Sequence, residues 1–195
     1  MNEVPQDKLY HAEGNVAVHT WKVIEELQQL PAYSDLGGQD KEILWTAALL
    51  HDVEKRSATV VESDGRITAR GHARKGEYTV RTLLYRDLPT PFAIREKIAS
   101  LVRFHGLPLW LMEKTDPVRK IAEVAFRLDT SQLRMLAEAD IRGRICQDRE
   151  ELLESLDLFE LFCREQGCWK KSREFTTDHA RFRYFHTAES YIDYI

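Results

Sequence analysis

Helical periodicity with histidine and aspartate side chains set inside its apolar stripes is the feature that most restricts what this chain can fold into. Nearly every periodic segment follows the 3.6-residue rhythm of an amphipathic helix. Val16, Thr20, Val23, Leu27 and Leu30 share a face, and Pro31 ends the run. Ile43, Leu44, Ala47 and Leu50 form the next apolar face, with Asp40 as its expected cap. A third helix is expected over 74–88. Thr90-Pro91 pairs a cap with a first helical residue ahead of Ile94, Ile98, Leu101 and Val102, and Gly106 and Pro108 end that helix. Asp116-Pro117 opens the segment of Val118, Ile121, Ala125 and Leu128; Ser131 opens that of Leu133, Leu136, Ala137 and Ile141. Glu150 to Phe162 is a further amphipathic stretch. The only strand-like run, 58–70, sets Asp64-Gly65 between two β-prone pieces and reads as a small hairpin inserted between helices. Neither an internal repeat nor the phosphate-binding pattern GxxxxGK[ST] is present. The expected fold class is all-α, a helical bundle with a β-hairpin insertion near residues 58–70.

At ~100° per residue, Ile94, Ile98, Leu101 and His105 fall in one narrow arc, so His105 points at the core. Leu133, Ala137 and Asp140 share an arc in the same way, and Arg144 continues it. His19 lies at the edge of the Val16/Val23/Leu27 stripe; His51 follows Leu50 on the inward side, with Asp52 directly after. Singly, each has a plain explanation: a hydrogen-bonded core histidine, an Asp140–Arg144 pair at i,i+4, or a solvated helix-end lysine at Lys55. Collectively, separate helices aim imidazole or carboxylate inward, where an unpaired charge is costly, and a divalent cation is the one partner that explains them all. Imidazole with carboxylate suits Zn, Fe, Mn, Co or Ni better than Ca or Mg. With no cysteine in the set, a thiolate structural zinc site is not expected, and a mixed His/Asp site leaves coordination positions for water and substrate.

The 195 residues suffice for one full core, and 43% hydrophobic with 31% charged residues is the balance of a globular chain. No apolar run approaches the ~18–20 residues of a membrane span, and the N-terminus lacks the pattern of a secretory signal. Cys146, Cys163 and Cys168 match no zinc spacing and are expected as thiols, so a cytoplasmic location is expected. A net charge of −4 does not announce a nucleic-acid binder. Locally, Arg164, Lys170, Lys171, Arg173, Arg181 and Arg183 are interleaved with Phe175, Phe182 and Tyr184, either a solvated amphipathic tail or rings among cations that stack on bases. His11, His179 and His186 read as surface or packing residues. The expected organisation is a domain over 1–168 and an extension over 169–195 that packs on it or trails from it.

The order His19 … His51-Asp52 … Asp140, with the local words NVAVHTWKV, AALLHDVEK and AEADIRGR, resembles the HD-domain metal-dependent phosphohydrolases. The resemblance covers nearly the whole chain and implies an HD-domain helical bundle in which these four residues hold a metal. The dipeptide continues to Lys55 as HDxxK, and His72 and His105 stand where some HD enzymes carry histidines for a second metal or for phosphate. Alarmone hydrolases have Glu-Asp where this chain has Lys55-Arg56, the cyclic-dinucleotide HD-GYP enzymes need a segment that is missing here, and 5′-deoxynucleotidases usually carry Glu near Lys55. The chain resembles the HD region of bacterial CCA-adding enzymes, through EADxRGR. It also resembles the HD phosphoesterase module of bacterial HD–polynucleotide kinase end-healing enzymes, whose set H…HDxxK…H…H…DxxxR falls on His19, His51, Asp52, Lys55, His72, His105, Asp140 and Arg144. The tail TTDHARFRYFHTAESYIDYI resembles the segment joining that module to its kinase.

This resemblance implies 2′,3′-cyclic phosphodiesterase and 2′-phosphatase activity, with RNA 3′ ends or nucleotide phosphoesters as partners and a polynucleotide kinase domain in fused forms. The metal ligands would be His19, His51, Asp52, His72, His105 and Asp140, holding one or two Mn, Co, Ni, Zn or Fe ions. Asp52, Lys55 and Arg144 would be catalytic, and Lys55, His72, His105 and Arg144 would grip the phosphate. A nucleotide phosphatase is the main alternative. A di-iron oxygenase uses a similar ligand set, but Arg144 in its RGR context suits phosphate; a non-catalytic HD module is disfavoured by the intact ligands.

Overall fold

Asn15 accepts a hydrogen bond from the Val18 amide and so starts helix α1 (Val16–Gln29), which buries Val16, Val23 and Leu27 completely. This computed structural model describes residues 1–7 and 9–170, with Thr177 and Ala180. The basic and aromatic run beyond Lys170, the linker-like tail, nearly all of the 169–195 extension, His179 and His186 lie outside the described residues.

Pro31 both ends α1 and begins the short α2 (Pro31–Ser34), because proline leaves Leu30 extended yet is at home at a first helical position. Helix α3 (Gly38–Leu50) is capped by Gly37; Asp40 lies in the first turn, where a carboxylate faces the positive helix end without capping it. After α4 (Lys55–Ala58), strands β1 (Val60–Val61) and β2 (Ile67–Thr68) pair antiparallel, Val60 with Thr68 and Val61 with Ile67. Gly65, at φ 83°, supplies the left-handed residue of their turn.

The third expected helix starts earlier, as α5 (His72–Thr82), and its end widens into a π turn over Leu83–Asp87. In α6 (Phe92–Phe104) Pro91 takes the cap position in place of the first helical one, and His105 closes the helix. Pro108 belongs to the first turn of α7 (Leu107–Trp110), which a 3₁₀ turn at Leu111–Glu113 follows. Asp116 caps α8 (Pro117–Arg127) as expected, accepting from Arg119 N at 2.9 Å. Helix α9 (Thr130–Gly143) is capped by Asp129 and not by Ser131: the Asp129 carboxylate reaches the Ser131 amide at 2.8 Å. The last described helix is α10 (Arg149–Glu165).

The core lies between α1, α3, α6 and α9, whose Leu27, Ile43, Leu44, Leu101, Leu133 and Leu136 are all but inaccessible to solvent. Where α9 ends against α1 the backbones nearly touch. A Cβ on Gly143 would come within 2.9 Å of Val23 N, so only glycine allows this approach. That crossing brings His19 of α1 to Asp140 of α9. The chain is thus, among the described residues, all-α with one small hairpin. Among the described residues no helix is long and apolar enough to cross a membrane. No disulfide links the three cysteines to one another, and burial pushes the thiol of Cys163 up to about 12.

Candidate metal centre

Asp52 is the hub of a buried cluster, because it stands in the turn that follows α3 and each of its oxygens faces a different set of partners. Oδ2 lies 3.2 Å from His51 Nε2, 3.9 Å from His19 Nε2 and 2.8 Å from Lys55 Nζ. Oδ1 lies 3.2 Å from His72 Nε2 and 3.9 Å from His105 Nε2. Asp140 joins on the first side, its Oδ1 3.0 Å from His19 Nε2. The fold therefore gathers all six expected ligands into one place. Five of them form two triads that share Asp52, namely His19, His51 and Asp52, then Asp52, His72 and His105, with the ligating atoms of each within 4.8 Å of one another; Asp140 adjoins the first through His19.

Local backbone geometry orients the rings. His51 ends α3, His105 ends α6, and His72 begins α5 after the left-handed Gly71. At each of these helix ends Nδ1 reaches the carbonyl three residues earlier: His51 Nδ1 lies 2.7 Å from Ala48 O, His72 Nδ1 2.7 Å from Ala69 O and His105 Nδ1 2.8 Å from Val102 O. With Nδ1–H donating to a carbonyl, each Nε2 lone pair is turned to the Asp52 carboxylate. That is the tautomer a metal-ligating histidine needs. His51 Nε2 and both Asp52 oxygens are buried without an aligned hydrogen bond. Buried polar atoms in that condition are rare and costly, and this donor set fits one or two divalent transition ions.

Burial alone would raise the Asp52 carboxyl, but His51 and Lys55 outweigh it and hold it well below the usual carboxylate range. Asp140 is held low in the same way, burial being outweighed by Arg144 and His19. His105 goes the other way: burial, assisted by His51 and His72, pushes its pKa down to about 3, so it is a neutral imidazole.

A cavity of about 460 Å³ opens beside the cluster. Lys55, His72 and Arg144 line it, and each also touches a cluster carboxylate: Lys55 and His72 touch Asp52, and Arg144 touches Asp140. Lys55 is not a solvated lysine, being 12% exposed and also donating to Gln6 Oε1 at 2.8 Å. Arg144 grips Asp140 through two bonds, Nε to Oδ1 at 3.1 Å and Nη2 to Oδ2 at 2.6 Å, so the i,i+4 pair and the pocket-lining position coexist. Tyr10, Trp110, Ile67 and Leu152 supply ring and aliphatic wall. Three residues that sequence reasoning did not select belong here. Gln6, His11 and Glu13 come from the non-helical N-terminal segment, and His11, read as a surface or packing residue, lines the cavity with its Nδ1 2.8 Å from Glu13 Oε1.

The HD-domain family model matches residues 16–140, from the start of α1 to the last aspartate of the cluster. The chain is also 29% identical over 152 residues to the multifunctional CCA protein of Nitrosococcus oceani, which covers 72% of this chain and 33% of that protein. The chain thus spans about a third of the length of that relative. With the family match running through most of the chain and the His/Asp cluster assembled within it, the protein belongs to the HD-domain family and is a metal-dependent hydrolase of the phosphohydrolase type.

Proposed function

We propose that the chain hydrolyses phosphoesters at RNA ends, opening 2′,3′-cyclic phosphates and removing 2′-phosphates. The observation that carries this reading is the pair of cations on the cavity wall, Lys55 and Arg144, each bonded to a carboxylate of the cluster. A phosphate seated in the cavity would meet both cations and the His/Asp cluster together. Arg144 offers a planar fork for two non-bridging oxygens and Lys55 a point charge, which offsets charge that builds up during attack at phosphorus. His19, His51, Asp52, His72, His105 and Asp140 would hold one or two divalent ions, which would supply a water of lowered pKa and Lewis acidity toward the phosphoryl oxygens. His72, with its side chain 22% exposed on the cavity wall, is placed to touch phosphate as well.

The cavity volume falls within the roughly 300–1,000 Å³ of small-molecule sites, room for a terminal nucleotide. Trp110, half exposed on its wall, presents a ring face on which a base can stack. Similarity to the multifunctional CCA protein, together with the AEADIRGR stretch, supports RNA as the substrate class. We take 1–168 as the hydrolase domain and 169–195 as an extension; Trp169 packs on the core.

The test is direct. Purified protein with Mn²⁺, Co²⁺ or Ni²⁺ releases phosphate from an RNA 2′-phosphate and opens a 2′,3′-cyclic end, and Asp52→Ala abolishes both. Hydrolysis of mononucleotides alone, across a panel of 2′, 3′, 5′ and cyclic ends, would establish the nucleotide phosphatase instead.

A further inference from the structure

Of the four histidines around Asp52, His19 alone has no backbone acceptor for its outer nitrogen. The other three stand at helix ends and use the carbonyl three residues back. His19 stands inside α1, where the preceding carbonyls are engaged in the helix ladder; His19 N itself bonds Asn15 O. Its Nδ1 instead lies 2.8 Å from Glu13 Oε1, and both side chains are fully buried. The same oxygen lies 2.8 Å from His11 Nδ1, and the His19 contact stands off the line of an ideal ring N–H bond. The second oxygen, Oε2, accepts from the Ile145 amide at 2.9 Å, and Ala12 N bonds Ile145 O at 3.1 Å. Glu13 is thus fastened to the end of α9, one residue past Arg144, and faces the back of His19.

We propose that Glu13 is the positioning residue for His19: its carboxylate holds the proton on Nδ1 and keeps Nε2 as the lone pair turned to Asp52 and Asp140. The chemistry favours a carboxylate at this point. His19 Nε2 is 3.0 Å from Asp140 Oδ1, so with a neutral partner behind it the ring could place its one proton on Nε2 and donate to Asp140, which removes it as a ligand. Two carboxylates compete for that proton: with a neutral group behind the ring only Asp140 would draw it, and the charge of Glu13 supplies the opposing pull at Nδ1. Glu13 lies in the N-terminal segment, outside the residues 16–140 that the family match covers. The inference rests on His19 being a ligand, as the proposed function has it.

The measurement is Zn²⁺ binding by calorimetry to the full, metal-free chain, alongside imidazole ¹⁵N spectra of the Zn²⁺-loaded protein. Glu13→Gln, which keeps the shape but loses the charge, weakens Zn²⁺ binding about tenfold, and Glu13→Ala up to about a hundredfold. His19 in the parent shows a protonated Nδ1. In Glu13→Gln its metal-free spectrum shifts toward protonated Nε2, which a residue that only packs would not bring about. Unchanged Zn²⁺ affinity in Glu13→Gln overturns the proposal, and so does a Zn²⁺-loaded parent whose His19 carries no Nδ1 proton, a reading that needs no variant to fold. His19→Ala separates the two layers. If it binds Zn²⁺ as the parent does, the ligand assignment has failed; if it loses Zn²⁺ while Glu13→Gln does not, only the role of Glu13 has.

Discussion

Glu77 and Asp52, two of the buried carboxylates among the described residues, differ in how their oxygens are satisfied. Glu77 on α5 is surrounded by guanidinium groups: Arg81 Nη2 at 2.7 Å, Arg103 Nε at 3.4 Å, and Arg127 Nη2 in a short contact, drawn from α5, α6 and α8. Asp52 is as deeply buried, yet neither of its oxygens has an aligned hydrogen bond, and its neighbours are mainly histidines whose lone pairs face it. A buried charge by itself therefore says little about function. Glu77 is matched by cations and ties three helices together. Asp52 has electron pairs gathered around it and a cavity alongside, an arrangement a cation completes.

The difference is sharpest where stability and activity separate. Asp52→Asn keeps the volume of the side chain and removes the charge that metal binding needs. Hydrolysis should fall by about 10³-fold or more, the scale on which losing a principal electrostatic group falls. The metal-free melting temperature should fall by less than in Glu77→Gln, because one cation, Lys55, faces Asp52 where three face Glu77, and no well-formed hydrogen bond is lost. Glu77→Gln should do the reverse. It leaves three arginines around a neutral amide and costs about 2 kcal/mol, less than the ~3–5 kcal/mol of a wholly buried pair, because the arginine side chains remain 29–32% exposed. That corresponds to roughly 4–8 °C in melting temperature for a chain of this size, with kcat unchanged. If Asp52→Asn unfolds the metal-free protein as readily as Glu77→Gln does, the contrast between the clusters collapses.

How much of this was legible in the sequence depends on where each residue stands. His19, His105 and Asp140 were readable because they interrupt apolar stripes whose period fixes the direction of the core. His72 was not readable that way. It is the first residue of α5, behind a left-handed glycine, so no stripe points to it, and it entered through the HD-family resemblance. Gln6, His11 and Glu13 had no local signal at all. Their segment is not periodic, and Glu13 meets Ile145 across 132 positions of sequence. Glu77 drew no reading either: Arg81 stands four residues on, but Arg103 and Arg127 come from other helices, and no local pattern joins the three. Helix starts moved for a simpler reason. Asp129 and Ser131 are both good caps, and which side chain reaches an amide depends on backbone angles that composition does not encode.

Gly143 connects the site to the framework that carries it. In Gly143→Ala the new Cβ would stand 2.9 Å from Val23 N and 3.2 Å from Val23 Cα, backbone atoms that cannot rotate away. Helix α1 must shift against α9, which costs about 1–3 kcal/mol as overpacking does. Because His19 rides on α1 and Asp140 on α9, Zn²⁺ affinity should weaken together with the melting temperature, unlike in Glu77→Gln, where only stability falls. An alanine variant with unchanged stability would mean that the helices part without cost.

Trp110 offers the smallest effect and the finest discrimination, because it lines the cavity but touches neither cluster. If the terminal base stacks on it, Trp110→Ala loses part of the ~1–3 kcal/mol that base–aromatic stacking is worth. The ring is 48% exposed, so about tenfold in KM is expected, with kcat little changed. The control is the 2′,3′-cyclic phosphate of an abasic ribose, which presents the same phosphate to Lys55 and Arg144 but no base to Trp110. For that substrate the variant and the parent should have equal KM. Equal loss on both substrates would assign Trp110 to shaping the phosphate end of the cavity, and the nucleoside would then have to lie along another wall.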